Sequence, residues 1–487
     1  DSAGAGNIQL GSVTVQSGGA MTLNVGAGEA LNLTGANSTT ATITANGEAN
    51  LVLPDLTDDN DSNLTVSSAG NLTLGTVTLG TGTHSFTVDS DNNTSGILTV
   101  NGEQTLGTAT FSGGGTGTND TFDLNANVTT TSTLTVQNFN SVDFAGANLT
   151  AGGNLSASSN VGSFNLSGAS DVALEANGEG DVSLAGITSG VNVDLDISAQ
   201  GSVTTSSIDI NDGNLSIASD DDNDSNAAGI TAGALTANQV DLSAGSDAND
   251  AISLTGDVTS ATSITIQNAS TVDLAGAVDL AANSGALNIK TNVTSINLSG
   301  ANAITNILST GGDGDINLVG ITDTNNPNLT ITSEGSLTLA AVTLGTGTHS
   351  FTVDSDNDGD ELLSAPSALA LGEATFSGGA AGTNDTLDIN AAVTAASNLT
   401  IQGFSNVDIA AGINLTAGND LDAGTNTTIN LSGTASANGL IAGSGGTVSV
   451  ATVNASDNDL TLIGDDVSIG GNVSGTGDLV LQPSQAG

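Results

Sequence analysis

VTLGTGTHSFTVDSDN occupies Val77 to Asn92 and recurs, letter for letter, from Val342 to Asn357, more than half the chain further on. Biased composition does not produce identity over that length, so the chain carries a duplication. A degraded third version, NLSIASDDDNDSN from Asn214 to Asn226, lies about halfway between the two copies and makes the true unit about half as long. Self-similarity at a fixed period is the signature of stacked repeat architectures.

Lining up the shorter runs sets the period. NLVLPDL (from Asn50), DVSLAGI (from Asp181), DINLVGI (from Asp315) and TVSVATV (from Thr447) share one register, and NDTFDLNANV (from Asn119), NDAISLTGDV (from Asn249) and NDTLDINAAV (from Asn384) share another. This spacing divides the chain into modules at 50–180, 181–314 and 315–446, with partial modules at 1–49 and 447–487, all in one continuous solenoid. Each run alternates apolar and polar residues and ends in Gly, Asn, Ser or Asp, the pattern of half-buried strands and turns; no helical period is present. Within the third module the same short strand returns at Ile316, Leu337, Leu369, Leu387, Val407 and Ile429. A strand that returns every ~20 residues is one turn of a parallel β-helix, each coil coming back beneath itself one strand spacing along the axis. The expected fold is therefore all-β: a parallel β-helix (β-solenoid), right-handed by the crossover rule, with about six coils per module and a length on the order of 110 Å. Leu and Ile of runs such as NLTI (from Asn328) point inward and Thr and Asn face water; Phe86, Phe111, Phe351 and Phe376 hold equivalent core places.

Composition narrows the function. Of 487 residues 51 are acidic and only Lys290 is basic, a formal net charge of -50. Almost no carboxylate can then be paired within the chain, and the field opposes nucleic acid and anionic membrane surfaces as partners. Salt, bound divalent cations or low pH must relieve the repulsion. No run of about 18 apolar residues is present to span a bilayer. Without cysteine, no disulfide framework forms. The absence of a charged and apolar leader at Asp1 fits a mature secreted chain or a piece of a longer one.

The sharpest chemical signal is the loop Asp354, Asp356, Asp358, Gly359, Asp360, which sets carboxylates on alternate residues around a glycine turn. A hard cation such as calcium seeks an oxygen cluster of that kind. It matches only the first half of an EF-hand loop, since the twelfth position is Ala365. Equivalent loops carry Asp89, Asp91 and Asn93 in the first module and Asp220, Asp222 and Asp224 in the second. Solvated turns in an acidic chain are the simpler reading, and Ca2+ at the first of these loops weighs about equally against it. His84 and His349, at the edge of the same loops, read as turn histidines, and Lys290 as a solvent-facing strand position. Asn-x-Ser/Thr triplets at Asn63, Asn71, Asn148, Asn328 and Asn398 fall at strand starts, where the coil pattern itself generates them. Thr-x-Thr and Thr-x-Val rows resemble those of ice-binding solenoids, but the sequence displays no flat, uninterrupted threonine array. Catalysis is disfavoured: pectate-lyase-type solenoids use Arg or Lys as base, and here there is no Arg, no Trp and no Tyr.

The lines GNLTLGTVTL (from Gly70), GDVSLAGIT (from Gly180) and GSLTLAAVTL (from Gly335) resemble the coils of filamentous-haemagglutinin-like exoproteins and related giant bacterial repeat adhesins. The resemblance is one of style, extends over nearly the whole chain, and implies an extracellular or cell-surface rod. Together these readings lead us to expect a non-enzymatic secreted structural protein, the subunit of a filament or matrix fibre that polymerises head-to-tail with copies of itself, stiffened by calcium. The stalk of a large adhesin holding a glycan is the alternative expectation, and a surface-layer lattice the next.

Overall fold

A computed structural model describes residues 12–15, 21–22, 31–32 and 40–483, the last range without 47–49, 59–60, 62, 93–94, 116–118, 158–159, 169–170, 221–227, 246–248, 291, 299–304, 324–326, 356–358, 380–383, 411–412, 424–427, 433–437, 444–446, 451, 457–458 and 465. Two compact units result, Asp1–Asp250 and Ala251–Gly487. Each is a β-solenoid built of parallel strands. No described helix is long and apolar enough to cross a membrane.

In the first unit three strands make one coil, and a strand pairs in parallel with the one three further on, apart from Asn214–Ala218, which pairs with the second half of the long strand Leu235–Ser243. Side one runs through Thr40–Ala45, Asn63–Ser68, Thr83–Thr87, Thr108–Ser112 and Leu134–Gln137. Side two runs through Leu51–Leu53, Leu72–Leu74, Ile97–Val100, Thr121–Leu124 and Ser141–Phe144. Side three runs through Leu56–Thr57, Val77–Thr78, Gln104–Leu106, Val128–Thr130 and Leu149–Ala151. The second unit repeats the rule, for example along Thr271–Leu274, Ser295–Leu298, Ile321–Thr322 and Val342–Thr343. A coil takes ~20 residues, at the short end of the range for stacked repeats. It lengthens where a loop is inserted: Leu64 meets His84 after a short coil, whereas Leu155 meets Val182 only after a longer one.

In-register pairing stacks each inward residue on its counterpart. On side one Val66, Phe86, Phe111 and Val136 form one such column, all fully buried. All nine phenylalanines are core residues. Phe86, Phe111, Phe122 and Phe139 form a continuous stack with centroids 5.1, 5.1 and 5.3 Å apart, and Phe351 lies 5.2 Å from Phe376 in the second unit. The core places expected for Phe86, Phe111, Phe351 and Phe376 are thus the observed ones.

Polar residues at strand starts have an equally regular task. A parallel ladder leaves the first N–H of the next coil's strand without a backbone partner, and a buried or half-buried orphan of that kind is costly. Asn63 Oδ1 accepts the N–H of Thr83 at 2.8 Å, Asn148 Oδ1 that of Ala173 at 2.8 Å, and Asn328 Oδ1 that of Thr348 at 2.9 Å. Asp181 and Asp315 do the same for Ser202 and Ser336. Asn71 and Asn398 also cap, so each of the five triplet asparagines has an inter-coil role.

Segments that align in the sequence do not fall on the same side of the coil. Leu51–Leu53 and its counterpart one module later, Val182–Leu184, are seventeen strands apart, one short of six coils of three. The first therefore pairs along side two and the second along side one. In the second unit Ile316–Asn317 and its counterpart Thr447–Val450 are likewise seventeen strands apart. Equivalent loops in consecutive modules of one unit thus open on different corners of the coil.

Replacing Phe111 with Ala removes an inner ring of the four-ring stack and is expected to cost about 3–5 kcal/mol. Denaturant unfolding of the variant against the parent chain measures it, and Phe111→Leu is expected to lose much less.

Candidate functional site

Three of the acidic loops begin at a corner of the coil with an aspartate in an unusual state. Asp89, Asp220 and Asp354 are 0, 1 and 0% exposed, and their φ angles are 46°, 49° and 47°. Left-handed backbone is uncommon outside glycine, with Asp and Asn among the residues that tolerate it. The same conformation at the same place in three modules marks a built corner rather than a random turn.

What faces each aspartate comes from the following coil. Asp120, Asp250 and Asp385 hold that place in the three modules, and all are 0% exposed. They tie the loop exit to the next coil. Asp120 Oδ1 accepts the N–H of Gly96 and its Oδ2 that of Gly114, both at 2.6 Å. Asp385 Oδ1 accepts Glu361 N–H at 2.9 Å and its Oδ2 Gly379 N–H at 2.6 Å. Asp250 Oδ1 accepts Ala228 N–H at 3.2 Å.

One glycine lies between the two carboxylates in every module. A Cβ on Gly114 would lie 2.9 Å from Asp89 Oδ2 and 3.2 Å from Asp120 Oδ2. On Gly245 it would meet Asp220 Oδ2 and, at 2.7 Å, Asp250 Oδ2; on Gly379 it would meet Asp354 Oδ2 and, at 2.9 Å, Asp385 Oδ2. Two buried carboxylate oxygens therefore converge on one small space three times over.

The expected metal residues separate accordingly. Asp89, Asp220 and Asp354 reach the corners. Asp91 is exposed, and Asp360 is exposed with its Oδ1 accepting the N–H of Asn384 at 2.9 Å, so it serves as an inter-coil cap. Asn93, Asp222, Asp224, Asp356 and Asp358 lie outside the described residues. Among the described residues no group of three or more His, Asp or Glu side chains is placed to hold a metal ion. Alternation within one loop does not reveal Asp120, Asp250 and Asp385, which belong to the next coil. The signal that finds them is the Asn-Asp pair repeated at 119–120, 249–250 and 384–385.

His84 and His349 differ from the turn residues expected of them. Both are inward positions of strands, 0% exposed, each between a leucine of the preceding coil and an alanine of the next: Leu64 and Ala109, Leu329 and Ala374. The small alanine leaves room for the ring. His349 Nδ1 accepts the N–H of Gly372 at 3.2 Å, which places the proton of the neutral ring on Nε2, an atom that makes no hydrogen bond although the carbonyl of Pro327 is nearby. His84 Nε2 lies 3.4 Å from the carbonyl oxygen of Gly80. Burial lowers the pKa of both below 6.5, against the smaller opposing effect of those carbonyls and, for His84, of Asp58. Elsewhere in the first unit, Asp196 is pushed up by partial burial and then by the neighbouring Asp194 and Asp171. Lys290 is exposed just beyond the strand Leu287–Ile289.

Comparison with protein-family models, with curated proteins and with solved structures returns no match.

Gly114→Ala drives a methyl group between two carboxylates and a carbonyl and is expected to destabilise the first unit by about 1–3 kcal/mol, read by chemical unfolding. The histidines predict a pH dependence with a definite sign. Their folded pKa is depressed, so between that value and 6.5 the unfolded chain binds more protons and stability falls as pH falls. Thermal midpoints should hold steady above about pH 7 and decline toward pH 5, with a shallower slope in the His84→Gln/His349→Gln double variant. An unchanged slope would remove the histidines as its cause.

Proposed function

We propose that the chain is a non-enzymatic structural protein, secreted to the cell surface or beyond it. Its coils, right-handed and about six to a module, stack end to end with those of further copies to form a filament or matrix fibre. The observation that carries this reading is the uniformity of the coil interface: among the described residues successive coils meet through parallel pairing on every side, in register apart from a shift between Asn454 and Ser456. An edge of one coil is thus chemically fit for the edge of another, and a contact of this head-to-tail kind does not close on itself.

Calcium is the cofactor we propose for the aspartate corners. A cation placed where two carboxylate oxygens converge out of water would be attracted by both. Asp89 with Asp120, Asp220 with Asp250 and Asp354 with Asp385 would each supply two oxygens, with the backbone carbonyl of Asp89 near the first pair. Oxygen-only donors of this type suit calcium rather than a softer metal.

Electron microscopy of the purified chain in millimolar calcium, and again after chelation, tests both parts. Long uniform threads that fray on chelation are expected, together with a thermal midpoint raised by calcium and a smaller rise in the Asp89→Asn variant, which keeps the side-chain shape. Threads indifferent to chelation would retain the fibre and discard calcium. Isolated rods in both conditions would discard stacking between copies and favour the stalk of a large adhesin, in which the same coil interface is used within one chain.

A further inference from the structure

Side one of the first unit has a surface that the linear sequence conceals. Its central outward column is Thr42, Thr65, Ser85, Thr110 and Thr135, one residue per coil, paired directly across five successive strands. The residues two before and two after each of these are Thr, Ser, Asn or Gln without exception, ten of the fifteen positions being Thr. All are half-buried or exposed except Ser112, which is buried and donates its hydroxyl to the carbonyl of Gly113. The grid spacing is that of a parallel sheet, about 4.8 Å from coil to coil and about 6.6 Å along the strand. No ionisable side chain stands in it, in a chain carrying 51 carboxylates. Asp61, two residues before the grid, turns one carboxylate oxygen to the N–H of Thr81. The second unit repeats the central column at positions 330, 350, 375 and 400, there with Glu373 beside it.

The chemistry of this side selects its partner. A cationic partner would go to the carboxylates elsewhere, and an anionic one is repelled by the whole chain. A sugar surface is ordinarily gripped by aromatic faces, yet Trp and Tyr are absent and all nine Phe rings are buried. What the grid offers is hydroxyl groups alternating with methyl groups at fixed spacing, on β-branched side chains with restricted χ1 and on a backbone locked by the inter-coil ladder. Such a surface holds water molecules at a regular spacing with little further loss of freedom. A charged group would instead impose its own hydration shell. We propose that side one of the first unit is a binding face for ordered water at the surface of ice. This does not depend on end-to-end stacking or on calcium.

The test uses the full chain. Ice is grown slowly from dilute solution, and partition of the chain into the solid is measured beside an acidic control protein, with freezing hysteresis read on the same samples. Enrichment in ice and shaped crystals are expected. Thr110→Asp, which places a carboxylate at the centre of the grid without touching the core, should abolish both, and Thr65→Asp should do so from a strand nearby on the same side. Ile97→Asp, on an exposed position of side two, should change neither. Circular dichroism and a melting curve verify that each variant is folded. Exclusion of the parent chain from ice like the control overturns the proposal, as does enrichment that survives both grid variants. A concentration-dependent dimer in sedimentation, dissolved by Thr110→Asp, overturns it too, by making a second copy the occupant.

Discussion

Parallel in-register pairing from coil to coil governs every other feature of the molecule. Because each strand lies directly over its counterpart, every side chain meets the residue at the same place in the coils on either side, and each outward or inward position becomes a column. Columns of Leu, Ile, Val and Phe fill the core. Columns of Asn and Asp at strand starts accept the N–H groups that the ladder leaves over. A core one coil thick has little depth, so its stability comes from repetition, and a single misplaced residue is felt mainly by its two neighbours in the column.

The strong negative charge takes on a different meaning in this frame. Many of the carboxylates are structural acceptors: Asp55, Asp61, Asp181, Asp194 and Asp315 each take a backbone N–H of the following coil. Asn performs the same task at Asn63, Asn148 and Asn328. Capping needs an oxygen rather than a charge, which leaves the charge free to vary by side. The result is uneven. Asp171, Asp194 and Asp196 lie near one another, whereas fifteen outward positions of side one have no ionisable group at all.

At the corners the same stacking brings carboxylates together instead of separating them. The first aspartate of a loop and an aspartate of the following coil share a space that only a glycine leaves open. Since seventeen strands separate equivalent positions, successive corners within a unit face different directions. The two corners of the first unit, at Asp89 and at Asp220, thus lie at different places around the coil.

The repeat, the strand content, the coil length, the inward and outward sets and the core placing of the phenylalanines were all legible in the order of residues. Each follows from local alternation or from identity at a distance, which can be read along a line. The loops carrying Asp89, Asp220 and Asp354 were legible for the same reason. Which residues share a column was not, because coils of unequal length carry positions into register that no fixed spacing would align. That is why Asp120, Asp250 and Asp385, the buried settings of His84 and His349, and the threonine grid emerge only once the chain is folded: each is a relation between neighbouring coils, fixed by hydrogen bonds across the axis rather than by order along the chain.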